Sequence, residues 1–198
     1  MTPEEFDSAT NFDERYRYEL IRGVLVVTPP RSIGERDPNG ELGYWLRMYR
    51  DNHPQGCCLD LTVSEETVFT LNRRRADRVI WAKLGRLPDP EKDTPTIVVE
   101  FFSRSRRDSE RDYVEKRDEY LTAGVTGYWV IDRFSRRMTV YRKPLRHAEP
   151  QIVRENETYQ TDLLPGFSLP LARLLAITDR WRKTRGRPKP RGRDSSNG

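Results

Sequence analysis

A chain of 198 residues, 35% hydrophobic and 34% charged, has the length of one domain with a little chain to spare. No run approaches the ~18 apolar residues of a membrane span, and the acidic opening MTPEEFDSAT lacks the apolar stretch of a secretory leader. The two cysteines, adjacent Cys57 and Cys58, form no disulfide framework and fit a reducing, cytoplasmic setting.

A net charge of +5 points toward an anionic partner, but that charge is unevenly placed. Residues 180–198 carry eight Lys/Arg against Asp194 alone, a net of +7, which leaves the rest of the chain at −2. The segment KTRGRPKPRGRDSSNG, from residue 183, has no apolar side chain and is expected to be a disordered basic tail behind a single domain over 1–182.

In chain order, Thr2 stands as the N-cap of a short helix. YELIRGVLVV, with Gly23 between two apolar runs, predicts a hairpin. TPPRSIGERDPN reads as a loop. ELGYWLRMYRDN spaces Leu42, Trp45, Leu46 and Tyr49 as a helix does, and His53-Pro54 should end it. CCLDLTVSEETVFTL and RADRVIWAK read as strands, followed by a loop with Pro88, Pro90 and Pro95. TIVVEFF is the most strand-like run of all. RDYVEKRDEYLTA is helical, with Gly124 as its stop. GYWVIDR and RMTVYRK are strands around a turn at residues 134–136. A polar hairpin is expected around Asn156, and PLARLLAITDRW closes the body as an amphipathic helix. No repeat is visible, and the order predicts a mixed α/β domain.

Absences narrow the chemistry. No P-loop, dinucleotide fingerprint or nucleophile elbow occurs. Two cysteines with distant His53 and His147 match no usual four-ligand zinc spacing. Carboxylates, lysines and a hard divalent ion are the remaining tools. Glu100 stands out inside the apolar run IVVEFF, because an ionised carboxylate among aliphatics needs a partner or a metal. The plain alternative is an ion pair with Arg104 or Arg106. Asp77, in RADRVI, has flanking arginines as its plain explanation. Glu19, in YELI, reads equally well as an exposed hairpin position. Lys116 reads first as an i,i+4 partner of Asp112. Taken together, two acids on neighbouring strands with a lysine on the next helix suit metal-assisted phosphodiester hydrolysis.

The segments YELIRG (18–23), Pro29-Pro30, RADRVI (75–80), IVVEFFS (97–103), DYVEKRDEYLTAGV (112–125), YWVID (128–132) and LPGFSL (164–169) together resemble the Uma-type restriction endonuclease family, within the PD-(D/E)XK nuclease superfamily. The resemblance implies a restriction-endonuclease-like mixed β-sheet flanked by helices, with an N-terminal hairpin. It also implies a Mg²⁺- or Mn²⁺-dependent DNA endonuclease. Carried over, Asp77 and Glu100 are the metal acids, with the Phe101 carbonyl a further ligand. Lys116 is the assisting lysine, displaced to a helix because Phe102 fills its usual position. Glu19 is the hairpin glutamate of the site. Ser103 matches the serine after the strand, and Arg104, Arg106 and Arg107 beside it would touch the flanking phosphates. The chain departs from the family at Ala76, where proline is usual before the first acid, and in lacking a histidine ahead of the first long helix. A homodimer through the short helix or an exposed strand is compatible with this picture, and no membrane association is expected. A catalytically inactive nucleic-acid-binding module on the same fold, and a scaffold that docks an acidic partner through its tail, stay open at this level.

Overall fold

The computed structural model describes residues 1–102, 109–143 and 149–184, without the side chains of 109–112 and 182–184. Helix α1 (Pro3–Ser8) starts on the expected Thr2 cap, in a reciprocal box with Glu5. Strands β1 (Arg17–Ile21) and β2 (Val24–Thr28) pair antiparallel. Both residues of their turn are left-handed, Arg22 at φ 52° and Gly23 at φ 80°, as a two-residue hairpin with matching twist requires.

The loop expected over residues 28–39 is a correction. Helix α2 (Ile33–Asn52) begins inside it, because Ser32 and Glu35 form a second capping box. Pro38 is thus inside the helix and donates no bond to Gly34. The Gly34 carbonyl accepts instead from Arg133 Nη1 at 3.5 Å. The helix ends at His53, as the following proline predicts.

Next come β3 (Leu59–Ser64), β4 (Thr67–Phe69), β5 (Arg73–Arg75) and β6 (Arg78–Ala82). They form one long hairpin folded across its middle. β3 pairs with β6 and β4 with β5. At the fold, Glu65 adopts φ 55° while its N–H still donates to the Asp77 carbonyl at 2.9 Å. One half of the hairpin joins a four-stranded sheet of order β2-β1-β5-β4. The other half joins a six-stranded sheet completed by β7 (Ile97–Phe101), β8 (Gly127–Asp132), β9 (Arg137–Arg142) and β10 (Gln151–Arg154). Its order is β10-β9-β8-β7-β6-β3. β7 and β8 are parallel, joined through α3 (Ser109–Ala123). Parallel neighbours need such a crossover.

The hairpin expected around Asn156 is a second correction. The chain does turn there, but β10 stays with β9, whereas β11 (Thr158–Thr161) pairs with β12 (Leu164–Pro170). The turn therefore carries the chain between two sheets. Helix α4 (Leu171–Thr184) closes the body, reaching two residues past the expected start of the tail. The remaining tail, 185–198, lies outside the described residues.

Strand alternation divides the core between the two faces of the large sheet. Ile80, Ile97, Val99, Phe101, Trp129 and Ile131 pack with Leu42 and Leu46 of α2 and Leu171, Leu174 and Leu175 of α4. Val79, Trp81, Val98, Tyr128 and Val130 face the other way, with Tyr120 of α3. Among the described residues no helix is long and apolar enough to cross a membrane.

Candidate active site

The same alternation places the acids. On β7, Ile97, Val99 and Phe101 turn toward α2 and α4, so Glu100 turns toward α3 with Val98. On β6, Val79 and Trp81 face α3, and Asp77 shares their parity. The β6–β7 register pairs Arg78 with Val99 and Val79 with Val98. Extended by one place, it sets Asp77 opposite Glu100. Asp77 itself lies just before β6, at the fold of the long hairpin, and its Oδ2 accepts the Phe101 N–H at 2.8 Å. Asn39 of α2 clamps this corner by donating to the Asp77 carbonyl at 2.6 Å. Its amide oxygen accepts from Arg78 Nε at 2.8 Å.

Lys116 and Tyr120, one helical turn apart on α3, meet Glu100 from the other side. Lys116 Nζ donates to Glu100 Oε1 at 2.9 Å, and the Tyr120 hydroxyl reaches the same oxygen at 3.3 Å. Glu19 of β1 joins through the lysine, with Oε1 3.5 Å from Nζ, and accepts the Arg75 N–H at 3.2 Å. Asp77, Glu100, Lys116 and Glu19 are all buried. Of the predicted site residues the structure therefore brings these four together. The Phe101 carbonyl is adjacent and accepts from the Tyr113 hydroxyl at 3.3 Å. Ser103, Arg104, Arg106 and Arg107 lie outside the described residues.

The plain explanations fare differently. An exposed hairpin position is wrong for Glu19, which is buried against Lys116. The partners of Asp77 are not its sequence neighbours. They are Arg17 Nη2, 3.3 Å from Oδ1, and Arg31, whose Nε and Nη2 each lie 3.0 Å from a carboxylate oxygen. The same Arg31 Nη2 is 3.6 Å from Glu100 Oε2. Lys116 pairs with Glu100 across elements, and the side chain of Asp112 is not among those described.

Arg17, Arg31, Tyr120 and Asn39 are the participants the sequence reading missed. Arg17 had a signal, since it shares strand parity with Glu19. Arg31 had only its place behind Pro29-Pro30 and ahead of the Ser32 cap.

Burial and these charges set the protonation energetics. Burial pushes the Glu100 carboxyl up, Lys116 and Arg31 oppose that, and Asp77 adds to it; the net direction is upward. Burial also raises the Tyr120 phenol, helped by the Glu100 and Glu19 carboxylates. Burial works against the Arg31 guanidinium, but Asp77 and Glu100 outweigh it and hold the proton more firmly.

A mixed sheet between helices, with opposed strand acids and a lysine on the crossover helix, defines a protein of restriction-endonuclease-like fold. Over 90% of its length the chain superimposes, at a TM-score of 0.73 and 16% identity, on 99% of a solved structure from Anabaena variabilis described as "a putative nuclease belonging to DUF820". No curated protein matches it. The profile of the Uma2 family, described as "Putative restriction endonuclease", matches residues 3–172, and the chain belongs to that family.

Proposed function

We propose that this protein is a divalent-metal-dependent endonuclease that hydrolyses phosphodiester bonds in DNA, with Asp77 and Glu100 as the metal acids. One observation carries the reading: the Asp77 and Glu100 carboxylates face each other, and fully buried Glu100 Oε2 accepts no hydrogen bond from the described residues, with Arg31 Nη2 no nearer than 3.6 Å. A buried carboxylate oxygen left without a donor is costly, and a hard cation is the partner that suits it. Among the described residues no three Asp, Glu, His or Cys side chains are grouped to hold an ion. The donor set is accordingly Asp77, Glu100 and the Phe101 carbonyl, with water completing it. Glu19 serves through Lys116 rather than as a third acid. When bound, the ion would supply an activated water and neutralise charge developing on the phosphate.

The protein's own residues do the rest. Lys116 fixes Glu100 Oε1, so that Oε2 faces Asp77, and places an ammonium beside the position of the reacting phosphate. Tyr120 and Glu19 hold that lysine and acid in register. Asn39 and the Phe101 N–H hold Asp77. Ser103, Arg104, Arg106 and Arg107 are proposed to contact flanking phosphates, and the basic tail to add affinity that falls with salt.

The test is cleavage of supercoiled, linear and branched DNA with Mn²⁺ or Mg²⁺, together with thermal melts. Cleavage and a metal-induced rise in Tm are expected, and both should vanish in Asp77→Ala and Glu100→Ala. Intact DNA in every condition, with no Tm response to metal, rejects the reading. Arg31 already neutralises the acid pair, and this observation favours a second reading, a DNA-binding module without catalysis. Salt-dependent binding that is untouched by alanine at both acids would select it.

A further inference from the structure

The position between Asp77 and Glu100 is filled by the protein itself. Arg31 Nη2 lies 3.0 Å from Asp77 Oδ2 and 3.6 Å from Glu100 Oε2, so one guanidinium nitrogen spans the two acids as a shared cation would. Resting on the metal reading, we propose that Arg31 is a built-in competitor for the divalent ion. The ion-free site is latched by Arg31, and loading requires Arg31 to release Asp77.

Three features lead to this. The first is a lone-pair count. A carboxylate offers about four acceptor sites. Asp77 uses four: Oδ1 accepts from Arg31 Nε and Arg17 Nη2, and Oδ2 accepts from Arg31 Nη2 and the Phe101 N–H. No site is left for a cation until a donor departs. The second is charge. Arg31 and Lys116 already balance Asp77 and Glu100 in a buried setting, and adding a divalent ion with Arg31 in place would leave a large uncompensated positive charge there.

The third is which donor can depart. The Phe101 N–H belongs to the β7 backbone, and Arg17 is held on β1, with its Nη2 also donating to the Arg75 carbonyl at 3.3 Å. Arg31 stands on the short segment between Pro30 and α2. Its side chain is the more exposed of the two guanidinium partners of Asp77, at 12% against 7% for Arg17. It also has an alternative acid at hand, since Glu35 Oε1, one helical turn on, lies 3.8 Å from Arg31 Nη1. An Arg31 that gives up Asp77 keeps this contact and stays at the mouth of the site.

The test is calorimetric titration of Mn²⁺ into the full chain as wild type, Arg31→Gln, Arg31→Lys and Asp77→Asn. Removing the competitor should tighten binding in Arg31→Gln, by on the order of tenfold or more. Arg31→Lys keeps the charge but cannot grip both Asp77 oxygens, and should fall between the two. Asp77→Asn should lose the binding. A folded Arg31→Gln with wild-type affinity, and binding still lost in Asp77→Asn, overturns the latch while leaving the metal reading intact. No Mn²⁺ binding by any variant overturns both.

A second measurement needs no substitution at Arg31. In the wild type, the Arg31 Nε–H should exchange slowly with solvent in EDTA and much faster in saturating Mg²⁺, read by arginine-detected NMR. Slow exchange that persists in Mg²⁺ also overturns the latch.

Discussion

The two faces of the six-stranded sheet are made by the same strands yet are packed by different rules. Toward α2 and α4 the contacts are mostly apolar, apart from buried Arg78 held by Asn39, with Trp129 edge-on to Tyr159 at 5.2 Å and leucines from both helices in the same cluster. Toward α3, a similar apolar bed of Val79, Trp81, Val98 and Tyr128 is interrupted at one end by Asp77, Glu100 and Lys116. Apolar contacts are non-directional, and each removed one leaves a void. The charged cluster is directional, and its members are costly singly and tolerable only together. The first face supplies stability. The second uses some of that stability to hold three ionisable groups where water would otherwise separate them.

The comparison can be broken first on the apolar face. Trp129→Ala should cost about 3–5 kcal/mol in a urea or guanidinium titration, the range for emptying a large aromatic site. A loss well under 1 kcal/mol would show that this face is not the main source of stability. On the charged face, Lys116→Met alone should cost a comparable ~3–5 kcal/mol, because it strands Glu100. Adding Glu100→Gln should recover most of that loss. A double mutant as unstable as the sum of the singles would mean that the two groups do not act as a pair.

A smaller effect falls at the corner. Asn39→Ala removes the donor to the Asp77 carbonyl and the acceptor for buried Arg78, for about 1–3 kcal/mol in the same titration. Burial leaves the Arg78 guanidinium easier to deprotonate, at about 10, with Arg47 adding to the shift, so this loss of an acceptor should be felt.

The smallest effect is pH-dependent and falls where α3 meets β5, at the Glu119 pair with buried Arg74. Burial alone would raise the Glu119 carboxyl, but hydrogen bonds from Arg74 and Asn72 outweigh it and hold it below the usual value. A carboxyl lowered in the folded state contributes stability above its unfolded pKa and loses it as pH falls through the folded one. The pH-dependent part of the stability gap between wild type and Glu119→Gln should therefore be full above about pH 5 and close as the solution is acidified, at below ~1 kcal/mol for this partly exposed group.

Most of this was legible in the sequence where local pattern decides. The β7 run showed Glu100 as an anomaly because its neighbours are aliphatic, and period-2 alternation then gave its facing. The α3 register put Lys116 on a buried turn only once Glu100 was known to lie beneath it. What was not legible depends on distant chain segments. Arg31 reaches Asp77 across 46 residues and Arg17 reaches it across 60, and no spacing rule connects them. Asp77 seemed to be inside a strand, whereas the hairpin folds at that residue, which the φ of Glu65 enforces from the other arm. The early start of α2 was hidden because Pro38 and the glycines suggested a loop, while the Ser32/Glu35 box that overrode them was there to be read.

The fold in the long hairpin has one more consequence, for the timing of assembly. The four-stranded sheet supplies Glu19 and Arg17, the hairpin's bend supplies Asp77, and the later crossover supplies Glu100 and Lys116. None of these segments carries a usable set of groups alone. On a ribosome, a chain whose α3 has not yet emerged has the three acids and no lysine, and one whose strands β6 and β7 have not yet paired has no facing carboxylates. In a chain made from its N-terminus the site's groups are therefore complete only after α3 has been made and has packed on the sheet, because Lys116 is the last of them in the sequence.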